Sequence, residues 1–329
     1  MGKSFKDFLR KDMRKTKGIA FGPVLSRRLG KSLGVNNIPF KICSYSCVYC
    51  QLGRSLKITI DRQPFYTPEE IFKSVNEKVR VAIERGEKID YITFVPDGEP
   101  TLDINLEKEV SLIKQLSFPV AIITNSSLMW DEEVRKALMN FDLVSIKVDA
   151  VSIDIWRKID RGFKKLDLDK ILEGVEKFSS EFKGILISET MVIDNFDYGD
   201  EFKKIAEYLS NLKNLKTSYL SIPTRPTAEK WANSPKEETI NSFFQIFENK
   251  LKGRVEYLIG YEGNAFAYSG NVEEDLLSIT AVHPMREDAV KELLEKDKKN
   301  FHIVDSLIEK GKLIKVDYQG HSYYIRKFR

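Results

Sequence analysis

Tyr91-Ile-Thr-Phe-Val95, Val120-Ala-Ile-Ile-Thr124 and Leu143-Val-Ser-Ile-Lys-Val148 are short, mostly apolar runs separated by helical patterns, and their reading decides the fold. An apolar run of this length without strict alternation marks a strand covered on both faces, as in parallel sheets. The segments between them, Leu106 to Leu116 and Asp131 to Met139, have the spacing of amphipathic helices. Upstream, Thr67-Pro68-Glu69-Glu70 supplies a cap, a first-turn proline and two acids for a helix predicted to reach about Arg85, where Gly86 stops it. Downstream, helix is predicted at Leu168 to Phe178, strand at Gly184 to Val192, helix at Glu201 to Leu209 and strand at Tyr219 to Ile222. Such strand–helix repeats build parallel sheets through right-handed crossovers, and both an open doubly wound sheet and a barrel satisfy them. No Gly-x-Gly-x-x-Gly follows the first strand, which takes support from a dinucleotide fold.

Ahead of these units, Ile19 to Val24 and Ser32 to Asn36 read as extended segments leading into Cys43-Ser44-Tyr45-Ser46-Cys47-Val48-Tyr49-Cys50, which holds all three cysteines of the 329 residues. Thiolates spaced by three and then two residues on one loop can converge on an iron–sulfur cluster. Their odd number, in a long chain, argues against a disulfide framework. A structural zinc site wants four ligands, and the nearest histidine, His283, is remote in sequence. Three ligands on a cubane cluster leave one iron open, a vacancy useful only if a small molecule coordinates there. Gly30-Lys31-Ser32 imitates the end of a phosphate-binding loop, but Leu25 stands where that motif needs its first glycine, so the reading is rejected.

Cys-x3-Cys-x2-Cys with Tyr49 before the last cysteine resembles the signature of the radical S-adenosylmethionine (SAM) enzymes. Phe21-Gly-Pro-Val-Leu-Ser-Arg-Arg-Leu-Gly30, Ser32-Leu-Gly-Val35 and Cys50-Gln-Leu-Gly53 are similar to a subgroup described only as Fe–S oxidoreductases, itself distantly similar to the radical enzyme of wybutosine synthesis in transfer RNA. The resemblance runs from about Phe21 to the C-terminus. It implies an α/β fold, a partial (β/α)6 TIM-like barrel with its site at the C-terminal strand ends, as in complete barrels. It also implies a [4Fe-4S] cluster on Cys43, Cys47 and Cys50, with an electron donor such as flavodoxin or ferredoxin. One electron would cleave SAM to methionine and a 5′-deoxyadenosyl radical.

The same resemblance distributes roles. Pro96-Asp97-Gly98-Glu99-Pro100 stands where these enzymes bind the methionine amino group; Gly98 and Glu99 match, and Asp97 replaces the commoner first glycine. Tyr49 is expected near the adenine, and Thr124 and Asn125 in contact with SAM. Ser145, Lys147 and Asp149 alternate along one strand and so share a face. Inward Lys and Asp are costly unless paired, so they either pair with each other or reach the SAM ribose or carboxylate. Arg27, Arg28, Glu189, Thr190 and Arg225 are candidates for the substrate side, with scaffold salt bridges as the alternative for Arg27 and Arg28. Without a fourth cysteine the chain cannot bind a second, all-cysteine cluster, which removes the auxiliary-cluster subfamilies, including the wybutosine enzyme's type of second site.

A hydrophobic content of 42% over 329 residues suits one large domain and one small one. No apolar run approaches a membrane span and Met1 to Lys17 lacks the apolar segment of a signal peptide, so a cytoplasmic, reducing location is expected. The leader, residues 1–18, is basic: Met1 to Lys17 carries seven Lys/Arg against two Asp in a chain of net charge +4. It could attract phosphate backbones or be a solvated helix. The barrel is expected over 19–262 and a second domain over 263–329, after a loop-like linker at Glu262 to Gly270. There, helices at Glu273 to Thr280, Arg286 to Leu294 and Lys299 to Glu309 precede a hairpin of Lys312 to Asp317 and Ser322 to Arg326, an arrangement that resembles a winged helix. Six Lys/Arg against one Asp between Lys310 and Arg329, with Tyr318, Tyr323 and Tyr324 interleaved, suit tRNA or other RNA; a protein-contact module or lid is the other use. His283, His302 and His321 are expected to be surface or packing residues. The functional readings are a SAM-cleaving enzyme acting on RNA, one acting on a protein, peptide or metabolite, or activating a glycyl-radical enzyme, and a cluster-sensing regulator.

Overall fold

The computed structural model describes residues 18–259, 271–282 and 284–327; nearly all of the basic leader, the linker at 262–270 and His283 lie outside the described residues. The chain opens with a hairpin, β1 (Ala20–Ser26) and β2 (Gly30–Val35), followed by the cysteine loop between the short paired strands β3 (Ile42–Cys43) and β4 (Lys57–Ile58). There follow α1 (Pro68–Glu84), β5 (Tyr91–Phe94), α2 (Leu106–Ile113), β6 (Val120–Thr124), α3 (Glu132–Leu138), β7 (Leu143–Lys147), α4 (Ile153–Ile159) and α5 (Leu168–Glu181). β8 (Ile185–Met191), α6 (Glu201–Asn211), β9 (Leu215–Ser221), α7 (Glu237–Leu251) and β10 (Val255–Leu258) complete the large domain. One eight-stranded sheet runs in the order β1-β2-β5-β6-β7-β8-β9-β10, parallel from β2 onward. The six expected barrel strands are β2 and β5 to β9; the sheet is larger than expected by β10 at one edge and antiparallel β1 at the other. α4, α7 and β10 had no counterpart in the sequence reading.

Local chemistry explains the units. Thr67 and Glu70 form the capping box expected at the start of α1: Thr67 Oγ1 accepts from the Glu70 N–H at 3.2 Å and Glu70 Oε2 from the Thr67 N–H at 2.9 Å. Strand parity then sorts side chains between two compartments. Ile92, Phe94, Val120, Ile122, Val144, Ile146 and Leu186 are fully buried in the core that includes the outer helices, each worth about 1.5–3 kcal/mol of burial. The opposite parity points into the barrel. Its floor is a separate apolar cluster of Leu29, Ala121, Leu143 and Ile187 with Tyr91, Ile123, Ile185 and Tyr219 against it. Toward the C-terminal strand ends the inward set turns polar: Thr93, Ser145, Lys147, Glu189 and Ser221. An apolar plug below a polar mouth is how a packed barrel holds a site at one end only. Across the open edge between β1 and β10, Arg27 donates to the Leu258 carbonyl at 2.6 Å.

The C-terminal module contains α8 (Val272–Val282), β11 (Met285–Arg286), α9 (Glu287–Lys296), α10 (His302–Glu309), β12 (Leu313–Tyr318) and β13 (His321–Arg326), with a three-stranded sheet ordered β11-β13-β12. The predicted helices and hairpin are all present. The module leans on the barrel through Ala281 against Phe21 and a Lys78–Asp275 ion pair at 3.6 Å. Its tyrosines are turned inward: Tyr324 is buried in the module's own core, and Tyr318 and Tyr323 donate to the carbonyls of Pro223 and Thr224 at 3.3 and 3.1 Å. Tyr318 and Tyr323 therefore hold a barrel loop and Tyr324 a core, and the three are not presented to solvent as base-stacking platforms. No described helix is long and apolar enough to cross a membrane.

Candidate active site

The cysteine loop is shaped by backbone hydrogen bonds and not by the sulfurs. The Cys50 N–H donates to Cys47 O at 3.1 Å and the Gly53 N–H to Cys50 O at 3.0 Å, two successive turns, and Gly53 takes φ +80°. The loop is fastened to the end of α4 by Ser46 N–H to Asp160 O at 3.0 Å and Val48 N–H to Ile159 O at 2.9 Å. All three cysteines are free and half-buried, and they line one cavity of about 350 Å3. Each has a polar neighbour: Asn125 Nδ2 lies 3.5 Å from Cys43 Sγ, Lys41 Nζ 3.5 Å from Cys50 Sγ, and Cys47 Sγ 3.4 Å from Asp160 Oδ1. Burial, with Glu99 nearby, pushes the Cys43 thiol up to about 12, so ionisation there calls for a thiophilic cation to displace the proton. Among the described residues no group of three or more His, Cys, Asp and Glu is placed to hold a single metal ion. The donor set, thiols alone on one loop, suits a cluster that spreads its ligands over separate irons.

The turn after β5 packs directly on this loop. A Cβ on Gly98 would overlap the Ile42 carbonyl oxygen, while the Glu99 N–H donates to that same oxygen at 3.2 Å and the Lys41 N–H to Asp97 O at 3.1 Å. Glu99 is buried, and its carboxylate is filled from within the protein. Oε1 accepts from the Thr101 N–H at 3.2 Å and from the hydroxyls of Thr101 and Thr124 at 2.6 Å each, and Oε2 accepts from the Asn125 N–H at 2.8 Å. Thr124 and Asn125, expected to touch SAM, spend these groups on Glu99; Asn125 Nδ2 also donates to Ser44 Oγ at 2.9 Å.

From β7 and β8 comes a buried ionic network. Lys147 Nζ lies 3.4 Å from Asp149 Oδ1 and 3.3 Å from Glu189 Oε1, so the pairing considered for Lys147 and Asp149 is present. Glu189 Oε2 pairs with Arg28, and Ser221 Oγ donates to Oε1 at 2.9 Å. Tyr49 donates to Asp149 and, at 3.1 Å, to Asp160 Oδ1, with Lys147 Nζ 4.9 Å from its ring centroid. Burial alone would raise the Glu189 carboxyl, but Arg28 and Lys147 together hold it well below the usual carboxylate range. Burial would lower the Lys147 ammonium; Asp149 and Glu189 outweigh it and raise it. Removing this ammonium leaves Asp149 without its cation and Glu189 with Arg28 alone. Lys147→Met is therefore expected to cost about 3 kcal/mol of stability, checked as a fall in the urea midpoint; a shift within error would mean that Arg28 alone neutralises the network.

Residues widely separated in sequence thus meet. Arg27, Arg28, Lys147, Glu189, Arg225, Tyr49 and Gly98 line the cavity of the three cysteines. Arg225 is buried and donates to Gln51 Oε1 at 3.2 Å, beside Cys50. Asn125 and Asp149 border a smaller space of about 20 Å3 behind Lys147, and Ser145 Oγ is 3.5 Å from Arg28 Nη1. Thr190 is not at the cavity: its hydroxyl is buried and donates to Val148 O at 2.8 Å. Lys41, Gln51 and Asp160 escaped sequence reasoning. Asp160 closes α4, which was itself unread, whereas Asp97 carried a signal as the departure from the motif.

A profile of the Radical SAM superfamily matches residues 37–209. A UPF0026 protein of Methanocaldococcus jannaschii is 53% identical over 313 residues, covering 94% of this chain and 97% of that protein. Among solved structures, TYW1 with a lysine-pyruvate adduct bound superposes with a TM-score of 0.52 at 16% identity, covering 74% of this chain and 81% of that chain. A radical SAM methyltransferase from Sphaerobacter thermophilus gives 0.51 at 18% identity, covering 70% and 67%. These two likenesses concern the fold.

Proposed function

We propose a function from one premise: the chain belongs to the radical SAM superfamily and, within it, to the UPF0026 proteins. It is an enzyme, and its family uses a [4Fe-4S] cluster and SAM. Our reading is that Cys43, Cys47 and Cys50 hold the cluster and that SAM lies between the cysteine loop, the turn at 96–100 and the ends of β6 to β8. When bound, the cluster supplies the electron that cleaves SAM reductively to methionine and a 5′-deoxyadenosyl radical, which takes a hydrogen atom from substrate. The chain's own residues orient and enclose: Tyr49, Lys147, Asp149 and Glu189 form a rigid polar wall, and the apolar floor keeps water from entering below. The observation that carries the reading is the convergence of three thiols from one loop on the cavity that collects Arg28, Lys147, Glu189 and Arg225.

On the substrate side we infer an anionic group. Arg27, Arg28, Lys41, Lys147 and Arg225 outnumber Asp97 and Glu189 in the cavity wall, and a surplus of positive charge at a low-dielectric mouth favours a carboxylate or phosphate. We favour a small anionic substrate over RNA because Tyr318 and Tyr323 bond a barrel loop and Lys312 and Lys315 pair with Glu273 and Glu287 at 3.0 Å each. The test is anaerobic reconstitution with iron and sulfide, reduction with dithionite or flavodoxin in the presence of SAM, and an assay for 5′-deoxyadenosine. Release by the native chain is expected; a loaded cluster that never cleaves SAM, even with cell extract as a substrate source, would sink the enzyme reading in favour of a cluster-sensing regulator. Transfer RNA affinity that falls steeply with salt would reverse the substrate preference.

A further inference from the structure

Lys147 and Arg28 in the cavity wall are paired with carboxylates, and Lys41 is not. Lys41 is 3% exposed and lines the cavity of the three cysteines. Its ammonium lies 3.5 Å from Cys50 Sγ and donates to the Gly53 carbonyl oxygen; among the described residues it forms no ion pair with a carboxylate. Asp97 feels its charge only through space: Asn36 Nδ2 donates to Asp97 Oδ2 at 3.0 Å, and Oδ1 is buried without a hydrogen-bond partner. A buried cation without an opposite charge is costly. The backbone at Lys41 is strained as well. Its φ is +60°, a left-handed conformation that glycine adopts freely and a lysine does not. The Lys41 N–H donates to Asp97 O at 3.1 Å, and the N–H groups of Leu56 and Lys57 donate to its carbonyl at 3.0 and 3.2 Å, which pins it there. Strain kept at a desolvated residue in contact with a thiol points to a function for the side chain.

We propose that Lys41 is the counter-cation of the cluster, placed against it at the Cys50 sulfur, and that it raises the cluster's reduction potential. This rests on the cluster reading above. Two positive charges on a [4Fe-4S] core against three thiolates leave the ligated group anionic, and reduction adds one more negative charge. Cluster potentials follow net charge, hydrogen bonds to the sulfurs and burial. Lys41 supplies a cation and a donor 3.5 Å from Cys50 Sγ in a setting of low dielectric. Its ammonium attracts the reduced form more strongly than the oxidised one. The attraction arises only once the thiols are ionised, so the same ammonium is unfavourable in the unloaded chain and favourable in the loaded one.

The native chain, Lys41→Met, Lys41→Gln and Lys41→Arg are reconstituted with iron and sulfide. The midpoint potential of each is measured without SAM, by dithionite titration followed by electron paramagnetic resonance, and urea midpoints are taken on the unloaded chains. The two neutral variants are expected to shift the one-electron equilibrium about tenfold toward the oxidised form, a potential lower by about 59 mV. Lys41→Arg, which keeps the charge, is expected to stay within about twofold of the native equilibrium. Unloaded, the neutral variants are expected to unfold at or above the native urea midpoint. Native potentials in both neutral variants would leave Lys41 as a strut for the Gly53 carbonyl, and the inference falls while the cluster and SAM reading stands. An unloaded midpoint that drops in both overturns its other half, that the ammonium lacks a counter-charge before loading. If the neutral variants fold but retain no iron, Lys41→Arg decides: iron retained with the charge upholds the inference, and iron lost with the charge present overturns it. If the native chain takes up no cluster, the cluster reading falls as well.

Discussion

Replacing Cys43, Cys47 and Cys50 by Ala together is expected to yield a folded protein that binds no iron and releases no 5′-deoxyadenosine. The loop does not depend on the sulfurs for its shape: its turns are closed by Cys47, Cys50, Ile159 and Asp160 backbone groups, which alanine keeps. The cysteines are half-buried, and the side-chain contacts of their sulfurs at 3.4–3.5 Å are long, so their loss costs little packing. Circular dichroism and the unfolding midpoint of the unloaded chain should therefore match those of the unloaded native protein to within about 1 kcal/mol. Iron and sulfide analysis after reconstitution is the decisive measurement, with loss of the visible charge-transfer absorbance beside it. Native iron stoichiometry in the triple variant would sink the assignment of all three ligands at once, since the chain has no other cysteine to offer.

Gly98→Ala has the second largest expected effect, although it removes no functional group. A methyl there overlaps the Ile42 carbonyl oxygen and carbon, both backbone atoms. That carbonyl cannot simply move: it accepts from the Glu99 N–H at 3.2 Å, and the neighbouring Lys41 N–H donates to Asp97 O at 3.1 Å. The turn and the cysteine loop would have to part, displacing Cys43, which follows Ile42, and stranding buried backbone groups. A loss of about 3 kcal/mol or more follows from overpacking plus unmet hydrogen bonds, with cluster loading reduced at least about tenfold in whatever protein folds. Gly86→Ala is the control. Gly86, unlike Gly98, sits at positive φ, +68°, and nothing lies near its Cβ position, so only the conformational cost of about 1 kcal/mol is expected. Urea midpoints and iron content of the two variants separate a contact from a conformation; equal losses would refute the contact argument.

The C-terminal module bears on the same region. Tyr318 and Tyr323 grip the carbonyls of Pro223 and Thr224, beside Arg225 in the cavity wall. Arg326 acts on Asp97 through space, and together with Asn36 and Lys41 it offsets part of the burial that raises that carboxyl to about 7. The module thus braces the loop that carries Arg225 without itself lining the cavity.

Local pattern by itself determined the strand–helix alternation, because apolar periodicity is a property of neighbours along the chain: β5 to β8 and α1, α2, α3, α5 and α6 fall where the runs predict them, while β9 begins at Leu215, four residues before the predicted Tyr219. It also located the candidate thiol donors, three cysteines within eight residues, and the order of helices and hairpin in the C-terminal module. α7 had a readable amphipathic pattern, with Ile240, Phe247 and Leu251 buried, and was left unread. Which polar residues share a cavity was decided by tertiary structure alone. Strand parity puts Lys147 and Glu189 inside, but only parallel pairing in register, Lys147 beside Glu189, makes them partners, with Arg28 on the other oxygen of Glu189. Likewise Glu99 and Asp97 are two carboxyls of one turn in the sequence. Only the packing of that turn against β6 and the cysteine loop fills one with donors and leaves an oxygen of the other bare, because hydrogen-bond satisfaction depends on atoms brought together from distant segments.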